Sequence, residues 1–211
     1  MTLAQALLGF ALVAGVITLI PGLDTALVLR AALTQGKLHA WASAVGIGTG
    51  SLIWGVAAAV GASALLAASE VAFTVLKLAG AGYMVFLGVR LIVVSFRKGT
   101  HESAPAARPG GSIRAAFVRG LLNNLLNPKV GVFYVATIPQ FLAIGIAPVW
   151  MGIMLALVHD AESIVWFAAL IYGANALRRI LNSPRFERLI DRITGSILVT
   201  FGVVVASESR F

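Results

Sequence analysis

Long apolar stretches dominate this chain, and short polar segments separate them. A helix needs about 20 mainly apolar residues to cross the hydrocarbon core of a bilayer. On that rule we predict membrane-spanning helices over residues 3–29, 40–67, 71–95, 115–142, 147–174 and 193–207. The pattern therefore predicts an all-α integral membrane protein with six transmembrane helices.

The composition changes this picture little but excludes several classes of function. Of 211 residues, 59% are hydrophobic and 11% are charged, whereas soluble domains carry about 25% charged residues. No cysteine occurs, which excludes disulfides, thiolate metal sites and iron–sulfur clusters. The formal net charge of +8 could suggest nucleic acid as a partner, but the basic residues lie in the gaps between apolar stretches. That distribution indicates orientation in a lipid bilayer and no nucleic-acid partner.

The basic residues also predict the orientation of the spans. The first, third and fifth loops carry or adjoin 13 of the 16 Lys and Arg residues. Positively charged loops stay on the cytoplasmic side, so we predict these loops to be cytoplasmic and both termini to lie outside. The polar stretch 97–112 is a linker between residues 1–96 and residues 113–211, each with three spans. An odd number of spans makes the second half an inverted repeat of the first.

Proline interrupts the first span of each half. Pro21-Gly22 lies in span one and Pro128 in span four, 107 positions apart. Proline removes a backbone donor and glycine loosens the helix, so we predict a break at each site, with a new helix beginning near Asp24. Broken helices at matching positions of inverted halves are typical of secondary transporters, which bind substrate at the breaks.

Opposite charges follow the two breaks. Asp24 follows the first and Lys129 the second, and a charge at the centre of a bilayer costs about 3 kcal/mol. Three interpretations are open: Asp24 only caps the new helix, or the two residues form a structural salt bridge, or Asp24 binds a substrate amino group while Lys129 and nearby helix N–H groups bind a carboxylate. The asparagine amides before Pro128 can satisfy backbone groups that proline leaves free. The substrate site that we predict consists of Pro21, Gly22, Asp24, Asn124, Asn127, Pro128 and Lys129.

Three ionisable residues lie near the middle of span five, namely His159, Asp160 and Glu162. His159 and Glu162 share a helix face, and Asp160 points about 100° away. Because the ordinary pKa of histidine is about 6.5, we predict that this cluster carries a coupling proton, with Glu162 as the preferred acid. The alternative is a span that begins later and leaves these residues at the outer interface. A zinc site is disfavoured because no second histidine accompanies the His-x-x-Glu pair.

Glycines recur along spans two and three. They include Gly46, Gly48, Gly50, Gly55 and Gly61 in span two, and Gly80, Gly82 and Gly88 in span three. A dinucleotide-binding loop would need a preceding strand and a glycine at the position of Ser51. We therefore predict close helix packing at these glycines.

These motifs, taken together, resemble the LysE/RhtB family of amino-acid exporters over nearly the whole chain. The resemblance rests on Pro21-Gly22-Leu23-Asp24-Thr25-Ala26, Phe73-Thr74-Val75-Leu76-Lys77-Leu78-Ala79-Gly80-Ala81 with Tyr83 and Leu87-Gly88, Gly120-Leu121-Leu122, Asn127-Pro128-Lys129, Pro139-Gln140-Phe141, Trp166, Gly195 and Phe201-Gly202. It implies a multi-pass secondary transporter of the bacterial inner (plasma) membrane that exports amino acids or close derivatives. The implied driving force is a proton gradient or the membrane potential, with no cofactor and no resident metal. The implied partners are the amino-acid substrate and the bilayer, and the oligomeric state, a homo-oligomer included, is left open.

Two other classes of function fit the sequence less well than a carrier does. A transmembrane electron relay is excluded because it moves electrons through paired cysteines. An intramembrane metal-dependent enzyme would combine His159, Asp160 and Glu162 with His39 or His101, but those two histidines lie in predicted cytoplasmic loops. We therefore predict a transporter and not an enzyme.

Overall fold

The computed structural model describes residues 1–20, 22–96, 111–143, 145–174 and 184–207. All regular structure in these ranges is helical, which confirms the all-α prediction. The α-helices are α1 Leu3–Leu19, α2 Leu23–Thr34, α3 Lys37–Ala68, α4 Glu70–Ser95, α5 Ile113–Leu125, α6 Pro128–Thr137, α7 Pro148–Tyr172 and α8 Pro184–Ser207. A short 3₁₀ helix, Ile138–Phe141, follows α6. Pro21 and most of the predicted linker lie outside the described residues.

Several of these helices are suited to cross a bilayer. Within the described ranges, α3, α4 and α7 are each long and apolar enough to span it alone. The pair α1 and α2 passes the same test as one span bent by 55°. The structure therefore supports three to four of the six predicted spans, and the remaining two predicted stretches coincide with α5–α6 and α8.

Both predicted helix breaks occur. α1 ends at Leu19, Gly22 is extended, and α2 begins at Leu23, one residue before Asp24. In the second half, α5 ends at Leu125 and α6 begins at Pro128. Proline is well placed there because the first residue of a helix does not need its N–H group.

Glycines bring the backbones of the long helices into contact. A Cβ on Gly55 of α3 would lie 2.6 Å from the carbonyl oxygen of Gly152 on α7, and a Cβ on Gly152 would meet the Gly55 carbonyl in return. A Cβ on Gly46 would likewise meet the backbone of α5. These contacts confirm close packing at Gly46 and Gly55, whereas Gly61 and Gly82 have no neighbour within 4 Å of an added Cβ.

The helix α4 pairs mainly with α8 through another reciprocal contact. A Cβ on Gly88 would lie 2.5 Å from the Gly195 carbonyl oxygen, and a Cβ on Gly195 would meet the Gly88 carbonyl. The other helices surround α3 and α7, with aromatic side chains filling the space between α1, α6 and α7. Phe10, for example, packs edge-on against Phe141 with ring centroids 5.7 Å apart. This packing places both helix breaks next to the centre of α7.

Candidate functional site

A cavity of about 50 Å³ lies between the two helix breaks. This volume has room for a few water-sized groups. Its lining combines ends of the broken helices with the middle of α3 and α7. The predicted site residues among its lining are Gly22, Asp24, Asn124, Asn127, Lys129 and His159. The structure thus brings together residues from both breaks that are about 100 positions apart in sequence.

The carboxylate of Asp24 sits in the first turn of α2 and accepts two hydrogen bonds from the end of α5. Nδ2 of Asn123 donates to Oδ1 over 2.6 Å, and Nδ2 of Asn124 donates to Oδ2 over 3.1 Å. The amino-terminal end of a helix also favours a negative charge. These interactions offset the desolvation of a carboxylate at this depth and hold it in one orientation.

The asparagines near the second break have two different roles. Asn127 caps α6, because its side-chain oxygen accepts the N–H of Lys129 over 3.1 Å. Asn123 and Asn124 instead donate to Asp24, so the expectation that all three amides serve the backbone around Pro128 is wrong for these two. Both residues lie on α5, about one helical turn before Asn127, and their side-chain donors point toward the start of α2. Asn123 was not among the predicted site residues.

Lys129, the second residue of α6, reaches across to the first break. A Cβ built on Gly22 would lie 3.6 Å from its Nζ atom. The ammonium group also lies within electrostatic range of Asp24 and of His159. A cation from the second break therefore lies beside the first.

His159 lies near the middle of the 25-residue helix α7. This helix begins at Pro148, so the structure gives no support to the alternative in which the span begins later. The imidazole is 7% exposed and lines the cavity. Its Nδ1 atom lies 2.8 Å from the hydroxyl oxygen of Tyr134 on α6, and its ring packs edge-on against Phe133.

The two acidic residues of the cluster point toward other helices. Oδ1 of Asp160 lies 3.4 Å from a Cβ built on Gly48 of α3, and Oε1 of Glu162 lies 3.3 Å from one built on Gly15 of α1. Oδ1 of Asp160 and Oε2 of Glu162 are buried without a hydrogen-bond partner among the described residues. The structure therefore directs the three ionisable side chains to three different neighbours and does not join His159 to Glu162.

Sequence reasoning missed Tyr134 and Ser51 as well as Asn123. Tyr134 is fully buried and Ser51 is 2% exposed, and each stands in an apolar stretch that gave no pattern to select it. A buried tyrosine hydroxyl usually finds a hydrogen-bond partner. That rule could have marked Tyr134 as a polar group with a role at membrane depth.

The structure lends no support to the metal-dependent alternative. Across the ranges described, no three His, Asp or Glu side chains come close enough to hold a metal ion. His39 lies near the start of α3, where its Nε2 atom is 2.9 Å from the carbonyl oxygen of Gly111. His101 lies outside the described residues.

Comparison of the sequence with known proteins identifies its family. The sequence model of the LysE type translocators matches residues 5–209. The chain belongs to the LysE type translocator family. This translocator is 30% identical to YrhP of Bacillus subtilis, described as an uncharacterized membrane protein, over 94% of this chain and 97% of the relative. It is 26% identical to a protein of Enterobacter sp. (strain 638) and to one of Klebsiella pneumoniae, both described as leucine efflux proteins, over 90% of each chain.

No solved structure gives a significant match to the translocator. The family match confirms the resemblance that the sequence motifs indicated, and the apolar helices agree with a location in a membrane. The family consists of transporters, so the enzyme alternative has no support from the comparisons.

Proposed function

We propose that this translocator exports amino acids and binds them in the cavity between its two helix breaks. The observation that carries the proposal is that Asp24 from one break and Lys129 from the other lie at a single cavity. A free amino acid carries an ammonium and a carboxylate group on the same carbon. Opposite protein charges at one cavity complement both groups. Its volume of about 50 Å³ matches these two groups alone, so the helices around it separate to admit the substrate side chain.

The two ends of the substrate have different partners in this proposal. The Asp24 carboxylate, oriented by two asparagine amides, accepts the substrate ammonium. Lys129 and N–H groups in the first turns of α2 and α6 receive the substrate carboxylate. We assign the interruption of the two helices to Pro21, Gly22 and Pro128, and Asn127 caps α6 beside Lys129.

The cavity wall supports a substrate with an apolar side chain. Its apolar lining consists of Ile17, Ile20, Leu23, Ile47, Val130, Phe133, Trp166 and Phe167. Asp24 is the only carboxylate among the described residues that line the cavity, so a second cationic group on the substrate would be buried without a partner. The leucine efflux relatives support the same class of substrate.

We also propose the complete six-span arrangement, with residues 1–96 and 113–211 as inverted repeats joined by a cytoplasmic linker over 97–112. When two repeats are related by a two-fold axis, equivalent helices that cross near this axis contact each other through equivalent residues. Gly88 and Gly195 make such a reciprocal contact. They are 107 positions apart, the same separation as Pro21 and Pro128. The basic loops support an inner-membrane orientation with both termini outside.

Export against a concentration gradient needs an energy source, and we assign coupling to a proton carried by His159, Asp160 and Glu162. These residues lie at the centre of α7, and His159 also lines the cavity. Ionisable residues at this depth mark proton pathways in many transporters. A carrier without its coupling group still exchanges substrate but loses net uphill movement.

Counterflow of radiolabelled leucine into proteoliposomes tests the binding proposal. Leucine and other aliphatic amino acids should compete for exchange, whereas lysine should not. Isoamylamine, which lacks the carboxylate, and 4-methylpentanoate, which lacks the amino group, should each compete poorly because one charged partner is lost. Equal competition by leucine and by either single-charge analogue would contradict recognition of both groups.

A further inference from the structure

We propose that Tyr134 and Ser51 connect His159 to Asp160, and that the coupling proton moves between these two residues through their hydroxyl groups. The proposal rests on the proton coupling proposed above and selects one of its two acidic residues. It makes Tyr134 and Ser51 positioning residues for transport.

The path that we propose runs through four neighbouring side chains in the apolar interior. The Tyr134 hydroxyl lies 2.8 Å from Nδ1 of His159. Ser51 on α3 lines the same cavity as His159, and its side chain lies close to the Tyr134 hydroxyl and to the Asp160 carboxylate. All four residues are at most 9% exposed. The path starts at the cavity, which His159 lines, and ends at a carboxylate whose Oδ1 has no described hydrogen-bond partner.

A proton can cross this path with every hydroxyl restored. The carboxylic acid of Asp160 donates its proton to the Ser51 oxygen while Ser51 donates its own proton to the Tyr134 oxygen. Tyr134 then donates its hydroxyl proton to Nδ1 of His159. Each hydroxyl gains one proton and loses one, so the net result is a carboxylate on Asp160 and an imidazolium on His159. The other ring nitrogen, Nε2, then releases a proton toward the cavity.

Glu162 is not connected in this way. Its carboxylate lies against Gly15 of α1, whereas the path runs from α7 toward α3 and α6. Two charged groups lie around the path. Lys129 on α6 interacts electrostatically with His159 and with Asp24 of α2. Glu162 on α7 interacts with Tyr134 only through its charge. The geometry therefore points to Asp160, in place of the Glu162 that the helix-face pattern favoured.

The test compares two activities of each variant. One is leucine counterflow in leucine-loaded proteoliposomes, and the other is leucine accumulation driven by a pH gradient. Tyr134→Phe removes only the hydroxyl and should keep counterflow close to wild type while accumulation falls roughly tenfold, the scale of one lost buried hydrogen bond. Asp160→Asn should show the same separation of activities. The double variant should lose no more than the worse single variant, because both changes interrupt one path.

Tyr172→Phe is the control and should accumulate leucine as wild type does, whereas Glu162→Gln, at the acid outside the path, should lose less accumulation than Asp160→Asn. Tyr172 is 66% exposed at the end of α7. If Tyr134→Phe also loses counterflow, its fold is impaired, and Ser51→Ala with Asp160→Asn then decides the question.

Full accumulation by Tyr134→Phe, or loss of accumulation by Glu162→Gln but not by Asp160→Asn, would overturn this path. The wider coupling proposal has a separate readout in His159→Ala. If that variant also accumulates leucine fully, coupling by the whole cluster fails. If it loses accumulation while Tyr134→Phe and Asp160→Asn keep it, only the path fails.

Discussion

Asn123 and Asp24 are 99 positions apart, yet Nδ2 of the asparagine donates a 2.6 Å hydrogen bond to Oδ1 of the carboxylate. The bond joins the last turn of α5 to the first turn of α2. Each of these turns borders a helix break. The carboxylate that we assign to the substrate ammonium is therefore held by a residue from the other half of the chain, so the two breaks form one site.

Removing that hydrogen bond should weaken substrate binding. Asn123→Ala takes away a donor to a charged acceptor, an interaction that contributes about 1.5–3 kcal/mol. We expect the KM for leucine counterflow to rise by one to two orders of magnitude, roughly 10- to 100-fold, because Asp24 loses its orientation. Asn123→Gln, which keeps the amide on a longer side chain, should recover part of the affinity. An unchanged KM in Asn123→Ala would contradict this role.

The charge pair is tested by a double-mutant cycle. Asp24→Asn and Lys129→Met should each abolish counterflow while the protein is still made and inserted, because each removes the partner of one substrate charge. Glu70→Gln and Lys37→Met are matched controls at exposed helix starts and should exchange leucine normally. Recovery of counterflow in the Asp24→Asn, Lys129→Met double variant would instead support a purely structural salt bridge between the two residues.

Glycine positions on α3 offer a stability test within one helix. A Cβ on Gly50 would lie 2.6 Å from Oδ1 of Asn124, while a Cβ on Gly61 would meet nothing within 4 Å. Gly50→Ala should therefore push Asn124 from Asp24 and lower stability by about 1–3 kcal/mol through overpacking. Gly61→Ala carries the same gain in helix propensity without that clash. Thermal unfolding in detergent should show a lower Tm for Gly50→Ala than for Gly61→Ala, and the reverse order would refute the close contact.

Orientation in the membrane is open to a direct test because the chain has no cysteine. Single substitutions Thr2→Cys and Ala106→Cys introduce one thiol each. An impermeant maleimide added to intact cells should label Thr2→Cys and should reach Ala106→Cys only after the membrane is permeabilised. Labelling of Ala106→Cys in intact cells would reverse the predicted topology.

Local chemistry in the sequence determined the helices and their interruptions. The predicted breaks at Pro21-Gly22 and Pro128 correspond to the end of α1 at Leu19 and the start of α6 at Pro128. Hydrogen bonds within a helix join residues four positions apart, so proline and a capping asparagine act on their own turn. The same local reasoning placed His159 inside span five, and α7 confirms it.

The tertiary structure alone decided which side chains meet. Periodicity placed His159 and Glu162 on one face of α7, but the packing directs His159 to Tyr134 and Glu162 to Gly15. Asn123 was assigned to the nearby backbone, and instead it holds Asp24. In each case the partner lies on another helix, and the rotation of one helix against another depends on contacts such as Gly55 with Gly152. Those contacts arise from residues far apart in the chain, and no local pattern specifies them.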